Sequence, residues 1–135
     1  MTSVSAVSII RVRQIMLGLA GLACLGYAIA ALVTGRPDPV AFWVPGAFGI
    51  LAALVITGSF LLAGRAQGQV ASDELYHAEN ARAQRIAYWV ALGLYPLFGA
   101  LLAAGLVTFP VAFAAMGTLT GAAYLLLFVL LSARG

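Results

Sequence analysis

IAYWVALGLYPLFGALLAAGLVTFPVAFAAMGTLTGAAYLLLFVLLSA, Ile86 to Ala133, is a run of 48 residues without one charged side chain. As a single helix it would extend about 72 Å, more than twice the roughly 30 Å hydrocarbon core of a bilayer. The run must therefore fold back once. Breaking it at Pro96 leaves a first leg of ten residues, too short to cross. Breaking it at Thr108-Phe109-Pro110 leaves two legs of about 20 residues each, the length a crossing needs. Pro110 then falls in a first helical turn, where its missing N–H costs nothing. Pro96 stays inside the earlier leg as a candidate kink, its freed carbonyl satisfied by neighbouring helices or water.

Moving outward from this run, charges cut the rest of the chain into segments of similar size. Arg13 and Arg36 bracket one apolar stretch, and Pro39 to Gly64 holds another. The spacing predicts helices over 14–34, 42–63, 86–107 and 110–132, with a polar segment over 64–85. Composition agrees: 64% of residues are hydrophobic, 8% are charged, and the mean hydropathy is +1.07, whereas soluble domains carry roughly 25% charged residues. A chain of 135 residues has room for one domain. The expected fold class is all-α, a polytopic membrane protein with a four-transmembrane-helix bundle spanning 1–135.

Arginine placement predicts the orientation. Arg11, Arg13, Arg65, Arg82, Arg85 and Arg134 fall on one side of these spans and Arg36 alone on the other. By the positive-inside rule both termini and 64–85 face the cytoplasm, an N-in/C-in topology in a bacterial inner membrane. Trp43 then sits near the outer boundary and Tyr88-Trp89 near the inner one, as aromatic belts require. The first helix also has signal-peptide features: basic RVR, then Ala28-Ile29-Ala30 as a small-x-small cleavage pattern. Its apolar region merges into a full-length span, so an uncleaved anchor is expected.

The spans exclude several chemistries by what they lack. None contains Asp, Glu, Lys, Arg or His in its interior. Proton relays, ion-coupled transporters and voltage sensors depend on such groups in mid-membrane. The single cysteine, Cys24, rules out an internal disulfide or a thiol-only metal cluster and reads as a small buried hydrophobe. The single histidine, His77, lies outside the spans, whereas a membrane haem anchor normally places its histidine within one. No catalytic residue, cofactor or metal is predicted, and the absence of a basic face interleaved with aromatics argues against nucleic acid.

Ionisable residues concentrate instead in SDELYHAENARAQR, Ser72 to Arg85. Ser72 reads as an N-cap, with Asp73 and Glu74 in the first turn, where the helix dipole favours acids. Without Gly or Pro from Val70 to Val90, one helix should run from about Asp73 into the third span. Glu79 is spaced to pair with Arg82, and Asp73 with His77. Arg82 and Arg85 fall at the level of lipid phosphates. Glu74 and His77 share the Glu-x-x-His spacing of di-iron bundles, but such sites need a second copy and further carboxylates. The chemistry fits a charge-paired juxtamembrane helix, with Asp73, Glu74, His77, Glu79 and Arg82 as candidate contacts for a cytoplasmic protein.

Small residues mark candidate packing faces. Gly117 and Gly121 form a GxxxG; Ala20, Cys24 and Ala28 form a stripe, as do Gly99 and Ala103. Gly117 and Gly121 serve either packing within the bundle or a dimer face. Thr118 and Thr120 should bond back to their own helix or to a neighbour. The text also repeats: LVTGRPDPVAF at 32–42 against LVTFPVAF at 106–113, with PGAF at 45–48 echoing PVAF at 110–113. Chance similarity in low-complexity sequence explains this, or else two parallel hairpins related by a pseudo-twofold axis along the membrane normal.

Two spans, then Asp73-Glu74-Leu75 opening a charged helix through Ala81-Arg82-Ala83 into Tyr88-Trp89, then the final turn and span: this pattern resembles a group of small bacterial four-helix integral membrane proteins. The resemblance implies the bundle architecture and a role as accessory partner of a regulator. It implies no activity and assigns no site residue. The expected function is that of a non-enzymatic inner-membrane protein of the interaction, accessory or regulatory kind, working through 64–85. The alternative is a small homo-oligomeric channel or transporter with its path between helices, at the GxxxG or Pro96 faces. Expected partners are the lipid bilayer, a cytoplasmic protein and, in the alternative, further copies of the chain.

Overall fold

The computed structural model describes residues 5–134, and these form an all-α fold. Four helices make it up: α1 Ala6–Thr34, α2 Val44–Ala71, α3 Glu74–Ala103 and α4 Phe109–Arg134. Each is long and apolar enough to cross a membrane, which makes this a multi-pass membrane protein. Large apolar side chains stay on the outside, among them Phe42, Leu61, Leu62 and Phe113, each about 80% exposed. Lipid, not water, is the solvent that tolerates such a surface.

The helices alternate in direction and pair as α2 on α1, α1 on α4 and α4 on α3. α2 and α3 make only marginal contact, so the ring of a closed bundle is left open between them. The central pair, α1 and α4, approaches through small residues. A Cβ on Gly21 would come within 2.9 Å of Leu126, and Gly121 lies opposite the Cys24 sulfur. Close backbone approach of this kind replaces the hydrophobic drive that lipid does not supply. Ala20 and Ala28 are buried, as the stripe on α1 predicts, whereas Cys24 between them, read as buried, is only half-buried. A second core joins Phe98 of α3 to Ala112 and Ala115 of α4.

Helix boundaries correct the sequence reading in four places. α1 starts at Ala6, not Gln14, because the Ser5 hydroxyl accepts from the Ser8 N–H and nothing in the basic RVR turn breaks the helix. α3 ends at Ala103, not 107. Gly105 takes φ +71, its N–H bonds the Leu102 carbonyl, and Leu106 N–H bonds that of Leu101; this is a Schellman stop. Ser72 is not the cap of α3. Its N–H closes α2 on the Gly68 and Gln69 carbonyls, and the Asp73 carboxylate caps α3 by accepting from Tyr76 N–H at 3.0 Å. Finally, α2 runs on to Ala71, not 63, while α3 carries Pro96 within its length. The interior break, among the described residues, is in α2 at Gly64, with φ 82 and ψ 168. After it the chain resumes a helical path to Ala71 and packs that stretch back against Ala6 and Ile9 of α1.

Candidate functional site

Helix alternation gathers both described chain ends and the Ser72-Asp73 link at one end of the molecule, the arginine-rich end. Arg13 organises it. Although charged, Arg13 is only 5% exposed. Its Nη1 donates to the carbonyl of Ala71, the last residue of α2, at 3.0 Å. A cation at a helix C-terminus is favoured by the dipole and satisfies an orphan carbonyl. The guanidinium also lies 4.2 Å from the ring centroid of Tyr76 on α3 and 5.6 Å from that of Phe128 on α4. Tyr76 and Phe128 meet edge to face. One side chain from α1 thus holds elements of the other three helices. Its Nε is buried with no hydrogen-bond partner among the described residues.

Further bonds surround this node. The Ala6 N–H donates to Gln67 Oε1 at 2.9 Å, tying α1 to the end of α2. Gln14 donates to the Ser132 hydroxyl, tying α1 to α4. The Tyr124 hydroxyl donates to Asn80 Oδ1, tying α4 to α3. Burial pushes the Arg13 guanidinium below its ordinary value, opposed by Tyr76, Glu79 and Asp73; arginine stays charged regardless. Partial burial pushes the Glu79 carboxyl up, opposed by Arg13 and reinforced by Asp73. Both groups lie outside the apolar spans.

The predicted contact residues divide around this node. Asp73, Glu74, His77 and Arg82 are exposed on the first turns of α3, while Glu79 is half-buried toward Arg13. The Asp73 carboxylate is spent on capping, and the His77 ring packs edge to face on Tyr76. Among the described residues, no three His, Cys, Asp or Glu side chains come together as a metal site. Gly121 faces Cys24 inside the chain, whereas Gly117 faces open space, lining a groove of about 530 Å³ with Tyr95, Gly99 and Phe113. Thr118 and Thr120 donate to the carbonyls of Ala114 and Met116 in their own helix.

The sequence reading missed Arg13, counting it only as one flanking cation among six. A signal was present. Stepping back by sevens from Ala20 reaches Arg13 and then Ala6, so all three share the buried face of α1. Tyr76, Asn80 and Tyr124 carried no signal, because each depends on contact between distant helices. Comparison of the chain with family models, with curated proteins and with solved structures finds no match.

Proposed function

We propose that this chain is a non-enzymatic interaction protein of a bacterial inner membrane, with both termini and the Ala71–Arg85 region in the cytoplasm. It presents the first turns of α3 as a rigid docking surface for a cytoplasmic protein. The observation that carries this reading is the Arg13 node. It fixes the end of α2 and the start of α3, so that Asp73, Glu74, His77 and Arg82 point outward from a pre-organised support. Pre-organisation lowers the ordering cost of binding. Six arginines at that end against Arg36 at the other support the cytoplasmic assignment.

Two experiments test it. A cysteine at Asp73 should resist a membrane-impermeant thiol reagent in intact cells and react after permeabilisation; reaction in intact cells refutes the orientation. Alanine at Glu74, His77 and Arg82 together should abolish co-purification of the partner captured by the unmodified protein, and undiminished co-purification refutes the docking surface.

A second reading, a homo-oligomeric channel or transporter, is favoured by one observation: the helix ring is open, and among the described residues nothing lies against Gly99 and Gly117 in the α3–α4 groove. Mass measurement in nanodiscs decides this, since a strictly monomeric protein has no path between protomers.

A further inference from the structure

The stretch from Arg65 to Ala71 has two faces of different character. On one, Gln67 accepts from the Ala6 N–H and Ala71 accepts from Arg13, so α1 pins this face from beneath. Arg65, Gln69 and Ser72 recur at i, i+4 and i+7 on the opposite face, about half a turn away. Arg65 and Gln69 are exposed there, and Ser72 is half-buried. They line a notch of about 480 Å³ with Phe60, Leu61 and the bare backbones of Gly64 and Gly68.

The notch exists because of Gly64. Its φ of 82 bends the chain out of the α2 axis, a conformation that residues with a Cβ avoid. The break falls where the uncharged part of α2 ends and its first cation, Arg65, follows. Apolar Phe60 and Leu61 therefore lie on the membrane side of the notch, and the polar groups on the water side. A volume of this size is in the range of small-ligand sites, which combine an apolar wall with a few polar groups.

We propose that this notch binds one anionic phospholipid, its phosphate on Arg65, with Gln69 and Ser72 as hydrogen-bond donors and the top of an acyl chain against Phe60 and Leu61. The chemistry selects this occupant. A bidentate guanidinium suits phosphate, and the apolar wall suits hydrocarbon attached to it. The surrounding end of the molecule carries six arginines against Asp73, Glu74 and Glu79, so an anionic lipid is drawn to it. The inference rests on the four helices crossing a membrane and not on the partner reading.

The test is native mass spectrometry of the full chain in mild detergent, titrated separately with phosphatidylglycerol and phosphatidylcholine. The first phosphatidylglycerol should bind more tightly than phosphatidylcholine, and Arg65→Gln should weaken it about fivefold or more. Arg134→Gln removes the same charge from an exposed site at the same end and should leave it close to the unmodified value. Gln69→Trp fills the notch without altering charge and should weaken binding as Arg65→Gln does; either variant suffices if the other fails to fold. Millimolar inorganic phosphate should not displace the lipid. The proposal is overturned by equal binding of the two lipids, by unchanged binding in Arg65→Gln or Gln69→Trp, by an equal loss in Arg134→Gln, or by displacement with free phosphate.

Discussion

The two hairpins carry similar text and use it differently. In α1–α2, Leu32-Val33-Thr34 forms the last turn of α1, and Gly35 then takes φ +66 to end it. In α3–α4, Gly105 takes φ +71 first, and Leu106-Val107-Thr108 falls outside the helix, in the turn. The same three letters are helical in one hairpin and connector in the other, because the left-handed glycine sits on opposite sides of them. Only the proline echo keeps its place: Pro45 and Pro110 are each the second residue of a helix. Packing separates the hairpins further. A pseudo-twofold relating α1 to α3 and α2 to α4 would turn the α1–α4 contact into an α3–α2 contact. The first is extensive and the second marginal. The structure therefore does not support a parallel repeat, and the resemblance of the text is local.

The hairpins also differ in how their arginine-rich ends are clasped, and mutation measures that difference directly. Hairpin one uses a buried cation, Arg13 on the Ala71 carbonyl, with an aromatic ring from α3 beneath it. Hairpin two uses a neutral bond, Tyr124 to Asn80. Arg13→Ala should cost about 3 kcal/mol, from an orphaned carbonyl and a lost cation–π contact. Asn80→Ala should cost about 1 kcal/mol. Unfolding in mild detergent followed by circular dichroism reads both, and equal losses would erase the distinction. Next in size is the seam joining the hairpins. Gly21→Val pushes a branched side chain into Leu126 and should cost about 2 kcal/mol, whereas Gly117→Val meets open space and should leave the monomer's stability unchanged. A loss of self-association in Gly117→Val alone would sharpen the oligomer reading.

The two stops make the third test. Gly35→Ala and Gly105→Ala each place a Cβ in left-handed backbone and should each cost about 1 kcal/mol. If the hairpins were equivalent by text, the sensitive positions would align with Thr34 and Thr108 instead. What could be read from the sequence follows the same division. The number of helices was legible, because bilayer thickness converts the uncharged run from Ile86 to Ala133 into two crossings. The break at Gly64 and the stop at Gly105 were not separated from the other glycines, since hydropathy is blind to where a backbone turns left-handed. The order α2–α1–α4–α3 was invisible, because it depends on which bare faces approach closely, as at Gly21. Within the site, the exposed residues Asp73, Glu74, His77 and Arg82 were legible from charge alone. Arg13 looked like any flanking cation until the buried stripe of α1 was extended back to it.

The smallest effect concerns Glu79, the one predicted contact residue turned toward the clasp of hairpin one. Partial burial raises its carboxyl pKa above the ordinary 4.5, despite the opposing Arg13. The folded state therefore holds this proton more tightly than the unfolded chain does. Ionised Glu79 costs stability at neutral pH, and the cost fades as pH falls through the raised value and is gone below the ordinary one. Water still reaches the side chain, so screening keeps the effect under about 0.5 kcal/mol. Glu79→Gln should remove this slope and leave the protein marginally more stable at pH 7, by unfolding measured from pH 4 to pH 8 in mild detergent. The same substitution in Arg13→Ala sharpens the point. Without the opposing cation the carboxyl rises further, so the slope that Glu79→Gln removes should be larger in that background. An identical slope in both would mean that Arg13 and Glu79 do not sense one another, and that the clasp acts on Ala71 and Tyr76 alone.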